Sequence, residues 1–143
     1  MKQKWTVLLS AAALATVAFS ANARDTQLML PIADALGSEQ AKEVLNPKIT
    51  LQFGGGSGSV LAADLVSNKK TNSFGKSDEE ACQWAFLSAV KQFQQRAESL
   101  GGSRVVNLVS YYKKSEIPDS NKVYECHVGA VVAGVTLKGT IVR

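Results

Sequence analysis

The sequence predicts an α+β fold, a small antiparallel or mixed sheet packed by one long helix in the order β-β-α-β-β. Three observations carry that prediction. Residues 48–53 alternate apolar and polar, as a half-buried strand does. Apolar residues between positions 78 and 100 recur at steps of three and four, the spacing of a helix with one buried face. Residues 104–112 and 122–142 are rich in valine and other β-favouring types.

The chain opens with an export pattern. Lys2 and Lys4 precede an apolar stretch from Trp5 to Phe19, and Ala21-Asn22-Ala23 supplies the small-x-small site that a signal peptidase binds before it cuts. The apolar stretch falls short of the roughly 20 residues of a spanning helix. Residues 1–23 therefore read as a signal peptide cleaved after Ala23, and no cysteine near the cut supports lipidation. The expected destination is the periplasm or the medium beyond it, with no stable membrane span in the mature chain.

Removing 23 of the 143 residues leaves 120, which suits a single folded unit able to bury a core. The expected organisation is an extended and short-helix segment over 24–47, followed by one α+β domain over 48–143. Losing Lys2 and Lys4 reduces the 16 basic residues to 14, against 12 acids, so the mature net charge is +2 rather than +4. A net charge that small argues against nucleic acid as a partner, which calls for a clustered basic face. Lys69-Lys70 and Lys113-Lys114 read as solvated strand ends that discourage edge pairing. Contact with anionic lipid or lipopolysaccharide is the alternative.

Each element has a local justification. Pro31 and Gly37 limit the first segment to extended structure. Ser38 caps a short helix over 39–45, which Asn46-Pro47 stops, because the residue before a proline is pushed out of the helical region. In the strand at 48–53, Ile49, Leu51 and Phe53 share a face. Gly54-Gly55-Gly56-Ser57-Gly58 then connects to a second strand over 59–70, as a hairpin or a loosely joined pair. In the long helix, Ser77 and Glu80 form a capping box, and Asp78, Glu79 and Glu80 suit the positive end of the helix dipole. Cys82, Phe86, Ala89, Phe93, Ala97 and Leu100 make its apolar face, and Gly101-Gly102 ends it. Residues 122–142 read as one long strand, broken near Gly134 or Gly139. Its stretch 128–137 is apolar on both faces, which fits an inner strand or an assembly surface.

The candidate chemistry is sparse. In an oxidising compartment, Cys82 and Cys126 read first as a disulfide, with two separate buried thiols as the alternative. Cys82 lies on the apolar face of the helix, and Cys126 shares a strand face with Tyr124 and Val128. The sulfurs meet if that helix face covers that side of the sheet. The glycine run lacks the lysine and the following helix of a phosphate-binding loop and reads as a flexible connector. His127 is the single histidine and the one weak metal candidate. Cys126 beside it points to the opposite face, so the two do not chelate one ion together. His127 with Glu125 reads as a pair on the second face. No serine sits in a nucleophile-elbow context and no carboxylates form an acid/base pair, so no catalytic residue and no cofactor is expected, and the chain reads as a non-enzyme.

Residues Cys82-Gln83-Trp84-Ala85, Arg96 through Asn107 and Tyr124-Glu125-Cys126-His127-Val128-Gly129 resemble a group of small exported bacterial proteins that commonly carry the label excinuclease ATPase subunit. The resemblance covers most of 30–143 and is clearest over 77–139. The labelled activity needs a Walker lysine, zinc cysteines and a cytosolic address, none of which this sequence offers, so only the exported class is implied. More distantly, the helix, the Gly101-Gly102-x-x-Val105-Val106 strand and the cysteine-bearing final strand are similar to YbjQ-like and RcsF-like folds. The first implies heavy-metal binding and self-association. The second implies an outer-membrane lipoprotein that senses envelope stress and depends on disulfides. Two of that sensor's four cysteines and its lipobox are missing here, so compartment and fold are implied and sensing is not. The expectation is a disulfide-stabilised binding or envelope-stress adaptor protein with an unknown envelope partner or a homo-oligomeric state. A heavy-metal-binding periplasmic protein is the alternative.

Overall fold

The computed structural model describes residues 24–143, and the signal peptide expected over 1–23 lies outside the described residues. Along the chain, β1 (Thr26–Pro31) leads into two short helices, α1 (Ile32–Leu36) and α2 (Glu39–Val44). These are followed by β2 (Thr50–Phe53), β3 (Val60–Asn72), the long α3 (Asp78–Leu100), β4 (Arg104–Ser110), β5 (Val123–Val128) and β6 (Val132–Val142). A single 3-10 turn, Tyr112–Lys114, stands between β4 and β5. The fold is α+β, with one six-stranded mixed sheet and one long helix.

The sheet is organised around β6. Along one edge β6 pairs antiparallel with β3, from Asn72↔Val132 to Val60↔Val142. The other edge is shared. Its C-terminal part pairs with β4, from Ser110↔Leu137 to Arg104↔Val142. Its N-terminal part takes β5, at His127↔Gly134 and Val128↔Ala133. β2 lies parallel on β4, and β1 antiparallel on β5. The sheet therefore forks, with two two-stranded arms leaving the same edge of one central strand. Where they part, the Glu125 N–H donates to the Ser110 hydroxyl at 3.0 Å.

α3 follows its sequence signals. The Ser77 hydroxyl accepts from the Glu80 N–H, and Gly101 closes the helix at φ 73°, a left-handed conformation that glycine adopts without a Cβ clash. Its inner face buries Cys82, Phe86, Ala89, Phe93 and Ala97, joined by Ala81, Ala85, Leu87 and Val90. Leu100, expected on that face, is 37 % exposed, because the last turn runs out where Gly101 reverses the chain. The opposing sheet face presents Val105, Leu108, Val135, Leu137 and Ile141. Phe86 stacks between Tyr124 and Phe53, with ring centroids 4.1 and 5.8 Å apart. Truncating a ring so enclosed costs about 3–5 kcal/mol.

Three expectations need correction. β2 and β3 do not pair with each other: Gly54, Gly55 and Gly56 all take positive φ and redirect the chain, sending β2 to β4 and β3 to β6. The long final strand is broken at 129–131 rather than at Gly134 or Gly139, where the Gly129 N–H donates to the Val132 carbonyl at 2.7 Å and closes a turn. Gly139 sits inside β6 for room, since a Cβ there would lie 2.7 Å from Leu108 Cδ2 and 3.2 Å from a Phe93 ring carbon. The element order accordingly gains β1, the helix α1 within a segment expected to be extended, and a third strand after α3, while α2 follows its Ser38 cap as expected. β6 itself is an inner strand with both edges paired, as its two-faced apolar pattern suggested.

Candidate functional site on the open face of the sheet

α1 and α2 both pack against α3, so the helices gather on one side of the sheet. The cysteines belong to that covered side. Alternation in β5 sends Tyr124, Cys126 and Val128 toward α3, and Cys82 meets Cys126 in a disulfide with Cα atoms 5.8 Å apart. Both sulfurs are thereby spoken for, and neither is a thiolate donor. No helix among the described residues is long and apolar enough to cross a membrane.

Glu125 and His127 point the other way. The Glu125 side chain is almost wholly buried, and its Oε1 accepts from Gln27 Nε2 at 3.1 Å and faces His127 Nε2 at 2.8 Å. The other ring nitrogen, Nδ1, lies 3.0 Å from Asp25 Oδ1. An imidazolium donates to both carboxylates, whereas a neutral ring donates to one only. The Tyr112 ring stacks on the imidazole with centroids 3.6 Å apart. The two carboxylates engage opposite nitrogens of one ring, so they do not converge on a point where an ion would sit. No cluster of three or more histidine, cysteine or acidic side chains able to hold a metal occurs among the described residues.

Tyr112 belongs to a segment that continues this site across the open face. Lys113 and Lys114 both take left-handed backbone, at φ 50° and 61°. That conformation costs a non-glycine residue about 1–2 kcal/mol, and such strain persists only where neighbours impose it. Here the Tyr111 N–H donates to the Thr136 carbonyl at 2.9 Å, and the Ser115 N–H donates to the Tyr112 carbonyl at 3.1 Å. Lys138 anchors the far end, donating to Glu116 at 2.8 Å while lying 4.4 Å from the Tyr111 ring centre. The bond to Glu116 raises the Lys138 amine above its ordinary value. Lys113 Nζ lies 5.4 Å from the Tyr112 ring centre, at cation–π range. The result is a shallow groove of about 490 Å³ walled by Tyr111, Tyr112, Lys113 and Lys114 over a floor of Val66, Asn68 and Thr136. Lys113 and Lys114 have no ion-pair partner among the described residues.

The glycine run sits elsewhere and is ordered. The Gly55 N–H donates to Asn107 Oδ1 at 3.1 Å, the Asn107 N–H returns a bond to the Gly55 carbonyl at 2.7 Å, and Arg104 donates to the Ser57 carbonyl at 3.0 Å. It opens into β3, not into a helix, and serves as a connector pinned to β4 rather than a flexible one.

Sequence reasoning placed His127 with Glu125 on the second face and missed their surroundings. Asp25 and Gln27 carry no local cue, because the segment before Pro31 reads as an extended lead-in and only its pairing with β5 brings them to His127 and Glu125. Tyr112 is overlooked because its paired lysines read as a solvated strand end. The run Tyr111-Tyr112-Lys113-Lys114 was the available cue. Comparison of the chain with protein-family models, with curated proteins and with solved structures finds no match.

Proposed function

We propose that the protein is an exported, non-enzymatic binding domain of the cell envelope that holds an anionic partner in the Tyr111–Lys114 groove. The observation that carries this reading is the pair of left-handed lysines. Backbone strain at Lys113 and Lys114 holds two ammonium groups, without ion-pair partners among the described residues, beside two tyrosine rings on the face that no described helix covers. Stored strain of this kind concentrates at ligand-contacting segments. Binding is favoured over catalysis because the one imidazole is enclosed by Asp25, Glu125 and Tyr112, with a carboxylate at each nitrogen. The export pattern of residues 1–23 and the internal disulfide support a periplasmic address.

Site-specific photo-crosslinking in intact envelopes tests the reading. A photoreactive side chain replacing Lys113 is expected to give a discrete adduct that is lost on Lys114→Glu. The same probe replacing Glu43, exposed on α2, is expected to give none. Identical adducts from both positions would overturn the assignment of the open face.

A further inference from the structure

A second surface, built from other residues, stands independently of the groove. β3 and β6 end together: Asn72 pairs with Val132, and the Ser73 N–H donates to the Val131 carbonyl at 2.9 Å. The turn beyond them is held firmly. The Phe74 N–H donates to Asn72 Oδ1 at 2.7 Å, the Lys76 N–H to the Ser73 carbonyl at 3.2 Å, and Lys76 Nζ to the Asn72 carbonyl at 3.0 Å. Gly75 completes the reversal at φ 73°. This scaffolding holds Phe74 outward, 78 % exposed, with Val131 at 59 % and Val132 at 39 % beside it. Together with Lys70 they border a depression of about 520 Å³.

Charge decides what suits this tip. Neither Lys70 nor Lys76 has an ion-pair partner among the described residues. The carboxylates that open α3 nearby are offset by the positive end of that helix, and Asp78 is also paired with Arg24. A projecting aromatic and aliphatic cluster flanked by lysines matches an anionic bilayer. The apolar groups enter the boundary between headgroups and acyl chains while the ammonium groups reach phosphate. A symmetric contact between two copies would bring the lysines of both tips together, which like-charge repulsion opposes.

We infer that Phe74, Val131 and Val132 form an interfacial anchor that dips into an anionic lipid bilayer, with Lys70 and Lys76 on its phosphates. The test is co-sedimentation of the purified protein with phosphatidylcholine vesicles containing or lacking phosphatidylglycerol. Pelleting is expected with the anionic vesicles and not with the neutral ones. F74D is expected to weaken it about tenfold, the loss of one interfacial ring, and K70E with K76E by about tenfold or more. Phe74 is too exposed for F74D to disturb the core, and an unchanged melting temperature checks this. A second variant, F74W, is expected to shift its emission to the blue with anionic vesicles only. Equal pelleting of F74D and the parent, or no pelleting of the parent with anionic vesicles, overturns the anchor. So does a parent dimer that F74D dissociates, which would make the tip a contact between copies.

Discussion

Gln94 is the side chain on which the junction between α3 and the segment after α2 depends. It is 3 % exposed on the inner side of α3. Its Oε1 accepts from the Asn46 N–H at 2.8 Å, and its Nε2 donates to the Asn46 and Ile49 carbonyls, both at 2.9 Å. Gln94→Met keeps length and shape while removing all three bonds. The Ile49 carbonyl is buried and would be stranded, at about 1–3 kcal/mol. The two Asn46 groups are part-exposed and can recover water, so each loses about 0.5–1 kcal/mol. The total is about 3 kcal/mol, or roughly 12 °C in melting temperature for a domain of this size. Urea unfolding followed by far-UV circular dichroism reads the change as a lower midpoint at constant slope. Gln94→Glu is a sharper variant. When ionised it places a negative charge against two carbonyls and is expected to exceed the methionine variant in cost. Burial raises its pKa, so the loss shrinks as pH falls and is smallest below about pH 4, where the protonated acid restores one donor in the fold. A loss under about 1 kcal/mol for Gln94→Met would refute the reasoning, since it would mean that the three backbone groups find other partners without rearrangement.

Reduction, or the double replacement Cys82→Ala with Cys126→Ala, opens a loop of 44-residue separation. On the chain-entropy model this lowers stability by about 4 kcal/mol, and calorimetry with and without reductant measures it. Burial, with the Asp34 carboxylate adding to it, raises the Tyr124 phenol well above its ordinary value. The unfolded chain therefore loses that proton first: the stability contribution is complete below about pH 10 and is lost as pH rises further. The 295 nm absorbance change of one of the three tyrosines is expected only with alkaline unfolding, and Tyr124→Phe removes that late step. Replacing Lys113 and Lys114 by glycine releases left-handed strain and is expected to raise stability by about 1 kcal/mol or more while abolishing capture at the groove. A thermal melt showing a clear loss of stability instead would mean that the strain is not stored there.

Much of this molecule is legible because the relevant forces act over a few residues. α3 could be placed from Ser77 to Gly101 because its cap, its three-and-four apolar spacing and its stop glycine are all local. Strand alternation puts Cys126 and His127 on opposite faces and the helix face adds Cys82, which makes a disulfide the first reading on the condition that α3 covers that side of the sheet, and the fold meets that condition. Strand partnership was another matter. Whether β2 pairs with β3 or β4 depends on the glycine run and on a bulge at Asn107 some 50 positions away, and nothing within β2 records it. β1 carries a short alternation ended by Pro31, and only its pairing with β5 makes it a strand. The candidate groove is hidden for the same reason. Asp25 and His127 are 102 positions apart, and Tyr112 and His127 meet only because the sheet forks beside Ser110. Periodicity, capping and alternation are set by the backbone of a few consecutive residues, and the sequence determined these by itself. Which edges pair, and which side chains the pairing gathers on the open face, depended on closing long loops against the burial gained, a balance that only the whole tertiary structure decides.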